Sequence, residues 1–385
     1  MKIVHCFFSM RTGGAQMLAI DLLNSQCLVH ETLLIIVNDE WEAGLLQKLS
    51  KRVSIHFMHR KEGSRNPLPI IRFNLLLRRL KPDIIHCHER KMVRMIRYKR
   101  AKTVYTVHDV GIPTETFSRY NALVAISESV ASDISQRAGI QAEVIRNGIA
   151  MASFRKRTAY VVPEKEPFRL VQVSRLMHEK KGQDILLRAV ARLTAESACP
   201  PIRLDLIGDG PSMDFLVKLA KTLQIDTLVS FRGNRDRTWV ADHLADYHLL
   251  VQPSRYEGFG LAVLEGLAAG LPVVASDIDG PAEIMAGLPA GTLFASDDVE
   301  ACAAAVARMI QTYRTTRLEA AISETYAIVR EKYSISATAA GYINLYQYLL
   351  QRPDSTVVDH PPVGPLPSLI PCQPTTLVGA ATRAL

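Results

Sequence analysis

Six cysteines are scattered over 385 residues (Cys6, Cys27, Cys87, Cys199, Cys302 and Cys372), and no two form a Cys-x-x-Cys pair. They read as reduced thiols in a cytoplasmic protein rather than as a disulfide framework. No apolar run reaches the roughly 18–20 residues of a membrane span, so a soluble or peripheral protein is expected. The opening Met1–Phe8 is too short for a signal peptide and reads as a first strand. There is no G-x-G-x-x-G, so a dinucleotide fingerprint is not supported. Aromatic residues make up only 6% of the chain. The stretch richest in positive charge has no aromatic stacking platform and no known nucleic-acid-binding signature, which argues against a nucleic-acid partner.

What is present is ordinary for globular cores: 48% hydrophobic and 22% charged residues, in a length that suggests two domains. The net charge of +8 is unevenly placed, with sixteen Lys and Arg against Glu62, Asp83 and Glu89 between Lys51 and Lys102. Such a run is either a solvated face or an attraction to an anionic surface, such as phospholipid head groups or a phosphorylated lipid.

Short apolar strands alternate with helices from the start. Strands are expected at Lys2–Phe8, Thr32–Val37, Val53–Phe57, Asp83–Cys87, Thr103–His108 and Leu123–Ile126. Helices are expected at Gly14–Leu28, Glu42–Ser50, Leu68–Leu80 and Glu128–Arg137. A linker at about Ala150–Pro167 precedes a second series of the same kind, ending in helices Arg317–Val329 and Ile335–Gln351. The class is α/β, two doubly wound parallel sheets covered on both faces. The expected division is 1–160, 161–335, a last helix at 336–351, and a proline-rich, disordered tail at 352–385.

Ser254-Arg-Tyr-Glu-Gly-Phe-Gly-Leu-Ala-Val-Leu-Glu265 carries the strongest chemical signal. An apolar strand runs in, Gly258 and Gly260 make a turn, and a helical pattern from Leu261 runs out. Such a helix N-terminus in an α/β fold is where phosphate binds. Glu257 lies just before that end, and Glu265 lies about a turn and a half into the helix. One carboxylate can meet the group beyond the phosphates and the other the ribose before them. The segment resembles the E-x7-E signature of retaining glycosyltransferases of family 4, whose GT-B fold has two facing Rossmann-like domains. Gln172-Val-Ser-Arg-Leu-Met-His-Glu-Lys-Lys-Gly182 resembles that family's basic segment. There Arg175 offers a planar fork and Lys181 a point charge to phosphate oxygens.

The resemblance covers about residues 1–351 and extends to further stations. Gly208-Asp-Gly210 resembles the turn next to the nucleotide, and Phe231-Arg232-Gly233 the edge that reads the base. Gly13 and Gly14 match the glycine-rich loop between the domains, and His108 the histidine that contacts donor sugar and phosphate. Ser127-Glu128 and Arg146-Asn147-Gly148 match as well, although Ser127 reads first as a helix cap. The resemblance implies a donor-binding set of Gly13, Gly14, Gly208, Arg232, Glu257, Gly258, Phe259, Gly260, Leu261 and Glu265. It implies His108, Arg175, Lys181 and Glu257 as catalytic residues. No cofactor beyond the nucleotide sugar is implied, with UDP the preferred nucleotide, and no metal. His86-Cys-His88-Glu89 is a strand end with metal-capable side chains but no evident second ligand cluster. Asp277-Ile-Asp279 resembles a metal-binding D-x-D but falls where the family needs none.

The expectation is therefore transfer of a hexosyl or N-acetylhexosaminyl unit, with retention, to a lipid-linked or growing surface-polysaccharide acceptor. It would act in the cytoplasm, at the inner face of the plasma membrane. A nucleotide-sugar 2-epimerase of the same fold and a non-catalytic basic membrane adaptor are the alternatives. An epimerase would want extra carboxylates for proton abstraction, and the intact Glu257, Glu265, Arg175 and Lys181 speak against the adaptor.

Overall fold

The computed structural model describes residues 1–161, 166–195, 200–313, 315 and 317–352. All but the first residue of the expected tail, together with Cys199 and Cys372, lies outside the described residues. Two wholly parallel sheets carry the chain. The first comprises β1 (Lys2–Phe7), β2 (Glu31–Asn38), β3 (Ser54–Arg60), β4 (Ile84–Cys87), β5 (Lys102–Val107), β6 (Ala122–Ala125) and β7 (Glu143–Val144). Its spatial order is β3-β2-β1-β4-β5-β6-β7. The second comprises β8 (Phe168–Val173), β9 (Ile202–Ile207), β10 (Val229–Phe231), β11 (Leu249–Gln252), β12 (Val273–Ser276) and β13 (Gly291–Phe294), ordered β10-β9-β8-β11-β12-β13.

Both orders reverse beside the first strand of the set, between β1 and β4 and between β8 and β11. Parallel strands need crossover helices, and helices on both faces bury both sides of every central strand. That is why β4, β11 and β12 read as unbroken buried runs rather than as alternating ones. A parallel arrangement also gathers the carboxyl ends of all strands at one edge, and the order reversal opens a crevice there.

The differences from the sequence reading are local. β7 is a two-residue edge strand, too short to show a period. Asp279–Met285 is a helix although it contains Gly280 and Pro281, because proline is tolerated in the first turn, where its missing N–H has no partner to lose. The helix expected over Glu42–Ser50 contracts to Ala43–Leu46.

The last helix, Ile335–Gln351, returns to the first sheet. Ser334 caps it by accepting from the Ala337 N–H at 3.3 Å, and a bridge pairs Ser334 with Ile149. Tyr342, Leu345, Tyr346 and Leu349 are buried against Ile3, Ile84, Val104 and Val124 of the first sheet. The two phenols reach polar partners inside that core: Tyr342 lies 2.8 Å from Thr106 Oγ1, and Tyr346 lies 2.7 Å from His86 Nδ1. Leu345→Ala removes an apolar side chain from this contact, and a cavity there should cost about 2–4 kcal/mol. The urea midpoint followed by circular dichroism is the check; an unchanged midpoint would mean that the helix does not hold the first sheet's core.

Candidate active site

Between β11 and the helix Leu261–Ala268 the chain makes the turn that carries Glu257. Arg255 fixes its entry, bonding both oxygens of Asp184 at 2.9 Å and Asp297 at 2.8 Å. Gly260 ends the turn with φ 102°, a left-handed conformation that disfavours any Cβ. Gly258 meets the first half of the chain so closely that a Cβ there would lie 3.0 Å from Asp109 Oδ1 and 3.3 Å from the His108 carbonyl oxygen. Within the helix, Val263 donates to the Gly260 carbonyl at 3.0 Å, so Leu261 and Ala262 are the leading N–H groups.

The cations sit beside this turn. Lys181 ends the short helix His178–Lys181 and forms an ion pair with Glu257. Lys180 spans to the first half and meets Asp109 at 3.2 Å. Arg175, after β8, is exposed and has no ion-pair partner among the described residues. Asp279 was set aside as a metal ligand. Its carboxyl is held above the usual range by burial and by the nearby charges of Asp109 and Glu257, so it belongs to the same carboxylate group as the turn.

Other expected residues take different roles in the structure. The Phe259 ring is buried, with its centroid 6.1 Å from that of Tyr333, so only its backbone is free to meet a ligand. Arg232 is bonded to Asp205 at 2.8 Å, and Tyr247 donates to the same carboxylate oxygen at 2.7 Å. Gly208 and Gly233 are joined by a backbone bond of 2.9 Å, which brings the two expected nucleotide-edge turns together. Glu265 is pushed up to about 7 by burial, against the pull of Arg237 and with a contribution from Asp21. Arg237 and Asp21 form an ion pair between the two halves beside it.

On the first half, Gly13 and Gly14 lead into the helix Gly14–Gln26, and a Cβ on Gly14 would lie 3.3 Å from Leu261 Cδ1. The glycine loop thus faces the N-terminus of the Glu265 helix. Ser127 caps its helix through the Val130 N–H at 3.3 Å, and it also donates to the Gly258 carbonyl at 3.0 Å. Arg146 binds Glu128 at 2.8 Å and pairs with Glu283, whose other oxygen accepts the Glu128 N–H at 2.8 Å.

The residues that sequence reasoning missed lie behind His108. His5 of β1 stands directly beside His86 of β4 and joins His88, so that one nitrogen from each lies within 4.8 Å of the others. His5 thus adds one ring, from a distant strand, to the metal-capable strand end His86–His88. Each of these ring nitrogens already has a hydrogen-bond partner. His5 bonds Gln26 and His88, His86 bonds Thr106 and Tyr346, and His88 bonds His5 and His108. The signal was the repeated His-Cys dipeptide at 5–6 and 86–87, paired in register on adjacent central strands. Glu89, next to His88, receives the Phe8 N–H at 3.1 Å and is pushed up to about 8 by burial.

Burial lowers His5 and His108 to about 4 and holds His86 and His88 well below the ordinary imidazole range. The folded protein therefore binds fewer protons than the unfolded chain between about pH 4 and pH 6.5. The stability these four groups contribute is complete above pH 6.5 and is lost as pH falls through that window. Glu89 and Glu265 act in the opposite sense above their unfolded range near 4.5, but two carboxyls do not offset four imidazoles. Each imidazole is worth up to about 1.4 kcal/mol per pH unit. Urea midpoints should drop steeply from pH 6.5 to pH 5, and a flat profile would show that the histidine row is already protonated when folded.

Comparison with known proteins fits this geometry. The model described as Glycosyltransferase Family 4 matches residues 12–152, and that described as glycosyl transferases group 1 matches residues 167–312. A glycogen synthase of Mycobacterium tuberculosis is 30% identical over 268 residues, 62% of this chain and 64% of that protein. The chain thus spans somewhat under two thirds of that relative's length. A lipopolysaccharide core biosynthesis glycosyltransferase of Rhizobium meliloti is 28% identical over 80% of this chain and 89% of its own length. Among solved structures, Anabaena HepE in complex with UDP and glucose superposes with a TM-score of 0.72 at 22% identity, over 90% of this chain and 99% of that one, which shows the shared GT-B fold. The chain belongs to the family 4 glycosyltransferases, with the family 4 region in its first half and the group 1 region in its second.

Proposed function

We propose that the protein transfers a hexosyl or N-acetylhexosaminyl unit from a nucleotide sugar, preferably UDP-linked, to a lipid-linked or growing surface polysaccharide, with retention of configuration and without a metal. One observation carries this reading. Glu257, Lys181 and the leading N–H groups of the Glu265 helix meet at a glycine turn pressed against the His108–Asp109 strand end. A diphosphate placed there supplies Lys181 with a stronger partner than Glu257, and so releases Glu257 toward the sugar hydroxyls. Arg175 is free to fork onto the phosphate oxygens. The charge of the departing nucleoside diphosphate is then met by two cations and a helix end, and no protein acid is needed. The acceptor hydroxyl attacks from the face that the diphosphate leaves, and a phosphate oxygen takes its proton. Glu265 lies where the ribose would fall. The complexes of HepE with UDP and glucose and the Rhizobium lipopolysaccharide relative support the choice of donor and acceptor class.

Glu257→Gln and Arg175→Ala should each reduce transfer at least about a hundredfold, corresponding to about 3 kcal/mol of lost charge stabilisation. Their circular dichroism should match that of the parent, since both positions lie at loop ends outside the cores. The assay follows nucleoside diphosphate release from a panel of nucleotide sugars with membrane extract as acceptor, in EDTA. Near-native turnover of both variants sinks the site assignment. Activity that returns only with magnesium or manganese sinks the metal-free mechanism.

A peripheral membrane role rests on the helix Leu68–Leu80. Phe73 and Leu77 pack inward, while Leu68, Ile71 and Leu75 are 45%, 51% and 56% exposed on one face. Exposed Arg72, Arg78 and Arg79 flank that face. Asn74 ties the second basic group alongside, accepting the Arg97 N–H at 2.7 Å and donating to the Met95 carbonyl at 2.9 Å. Arg72, Arg78, Arg79, Lys91, Arg94, Arg97, Lys99 and Arg100 have no carboxylate partner among the described residues. No helix among those residues is long and apolar enough to cross a membrane. Each such cation contributes about 1 kcal/mol near an anionic surface. Co-sedimentation with anionic liposomes should exceed that with neutral ones and should fade at ~0.5 M salt, where screening acts within about 4 Å. Equal binding to both lipids, or to neither, removes the membrane and leaves a soluble acceptor.

A further inference from the structure

Behind His108 runs a line of hydrogen bonds that ends on an amide. His108 Nε2 lies 3.3 Å from His88 Nδ1, His88 Nε2 lies 3.0 Å from His5 Nδ1, and His5 Nε2 lies 2.9 Å from Gln26 Oε1. His5, His88 and Gln26 are 0%, 5% and 2% exposed. His88 is stacked between Phe7 and His86, with ring centroids 4.2 and 4.3 Å away, so it cannot turn. A neutral imidazole has one N–H and one bare nitrogen, and the hydrogen bond at one nitrogen dictates the state of the other. The carbonyl of Gln26 can only accept.

We propose that Gln26, His5 and His88 are positioning residues that relay one tautomer to His108. They fix its proton on Nε2, facing inward, and leave Nδ1 bare as a hydrogen-bond acceptor. The chain of inference is short. Gln26 Oε1 takes the Nε2–H of His5, so His5 Nδ1 is bare and accepts from His88 Nε2–H. His88 Nδ1 is then bare and accepts from His108 Nε2–H. Burial keeps all three rings neutral, which the relay requires. The amide of Gln26 also faces the Tyr346 hydroxyl, short of hydrogen-bond geometry. With its proton given to His86 Nδ1, the Tyr346 oxygen can only receive an N–H, which keeps the amide nitrogen of Gln26 on that side and its carbonyl on His5. His108 Nδ1 has no protein partner among the described residues, and the His108 carbonyl lies against Gly258. On the donor reading above, which this last step assumes, the bare nitrogen receives a sugar hydroxyl. A charged or flipped imidazole would offer a proton there instead.

The test is long-range 15N–1H correlation spectroscopy of the full chain labelled with 15N-histidine, with resonances assigned from single substitutions. Without donor, His5, His88 and His108 should each show a single Nε2–H tautomer near pH 7. Gln26→Met keeps the volume but removes the acceptor, and should cost His108 its single tautomer; Gln26→Glu should restore it. His5→Phe breaks the relay at another link and should act as Gln26→Met does, so a folding failure of either variant leaves the other. An Nδ1–H proton on His108 in the parent protein, or a His108 tautomer unmoved by both breaks, overturns the relay. Adding UDP-glucose tests the donor contact separately. A shifted His108 Nδ1 resonance, with affinity reduced up to about tenfold in Gln26→Met, is expected from one neutral hydrogen bond. An unshifted resonance refutes that contact alone, because the relay is decided in the donor-free spectrum.

Discussion

The two halves touch where backbone meets backbone, at Gly258 against His108 and Asp109, and the geometry of the cleft depends on that closeness. A side chain at 258 would hold the sheets apart by its own thickness. The contact is strengthened by directional bonds that fix register rather than add much energy. Ser127 donates to the Gly258 carbonyl, Lys180 pairs with Asp109, and Arg146 and the Glu128 N–H share Glu283. Ion pairs of this half-exposed kind are individually weak. Their value lies in number and placement, since each ties the first half of the chain to the second.

The same contact arranges the charges. A lysine next to a helix N-terminus would leave positive charge unbalanced at one point, and Glu257 answers it. Burial and the nearby charges of Asp109 and Glu257 raise Asp279, while Lys180 and Lys181 divide the opposing charge between them. Such a site holds its own charge compensation. Glu265 is a different case: it is desolvated and lies beside an ion pair that crosses between the halves, so its proton is sensitive to how far Arg237 and Asp21 are drawn apart.

Much of this was legible in the sequence because the signals are local. Strand ends, glycine turns and the eight-residue spacing of Glu257 and Glu265 all lie within single supersecondary units, and their elements fall within a few residues of the expected bounds. What escaped depended on contacts between distant segments. His5 lies far in sequence from His88, and only the pairing of β1 with β4 joins them. The resemblance implies Phe259 in the donor-binding set, yet the core claims its ring. Arg232 was expected at the nucleotide edge, but Asp205, in register with Ser230 on the neighbouring strand, takes its guanidinium. The helix Asp279–Met285 was hidden by Gly-Pro, a pair that ordinarily marks a turn.

The phenols of the last helix have a consequence for how the chain comes into being. Thr106 and His86 sit in the first sheet, yet their hydroxyl partners lie 236 and 260 residues downstream. A ribosome adding roughly 5–20 residues per second takes on the order of ten seconds or more to supply them. Throughout that interval the nascent first half has its strands but not the cover for Ile3, Val104 and Val124. The protein is thus assembled as a ring closed in time as well as in space, with Ile3 and Val104 waiting on Tyr342 and Leu345. A chaperone that shields one greasy sheet face during synthesis would find its natural client here.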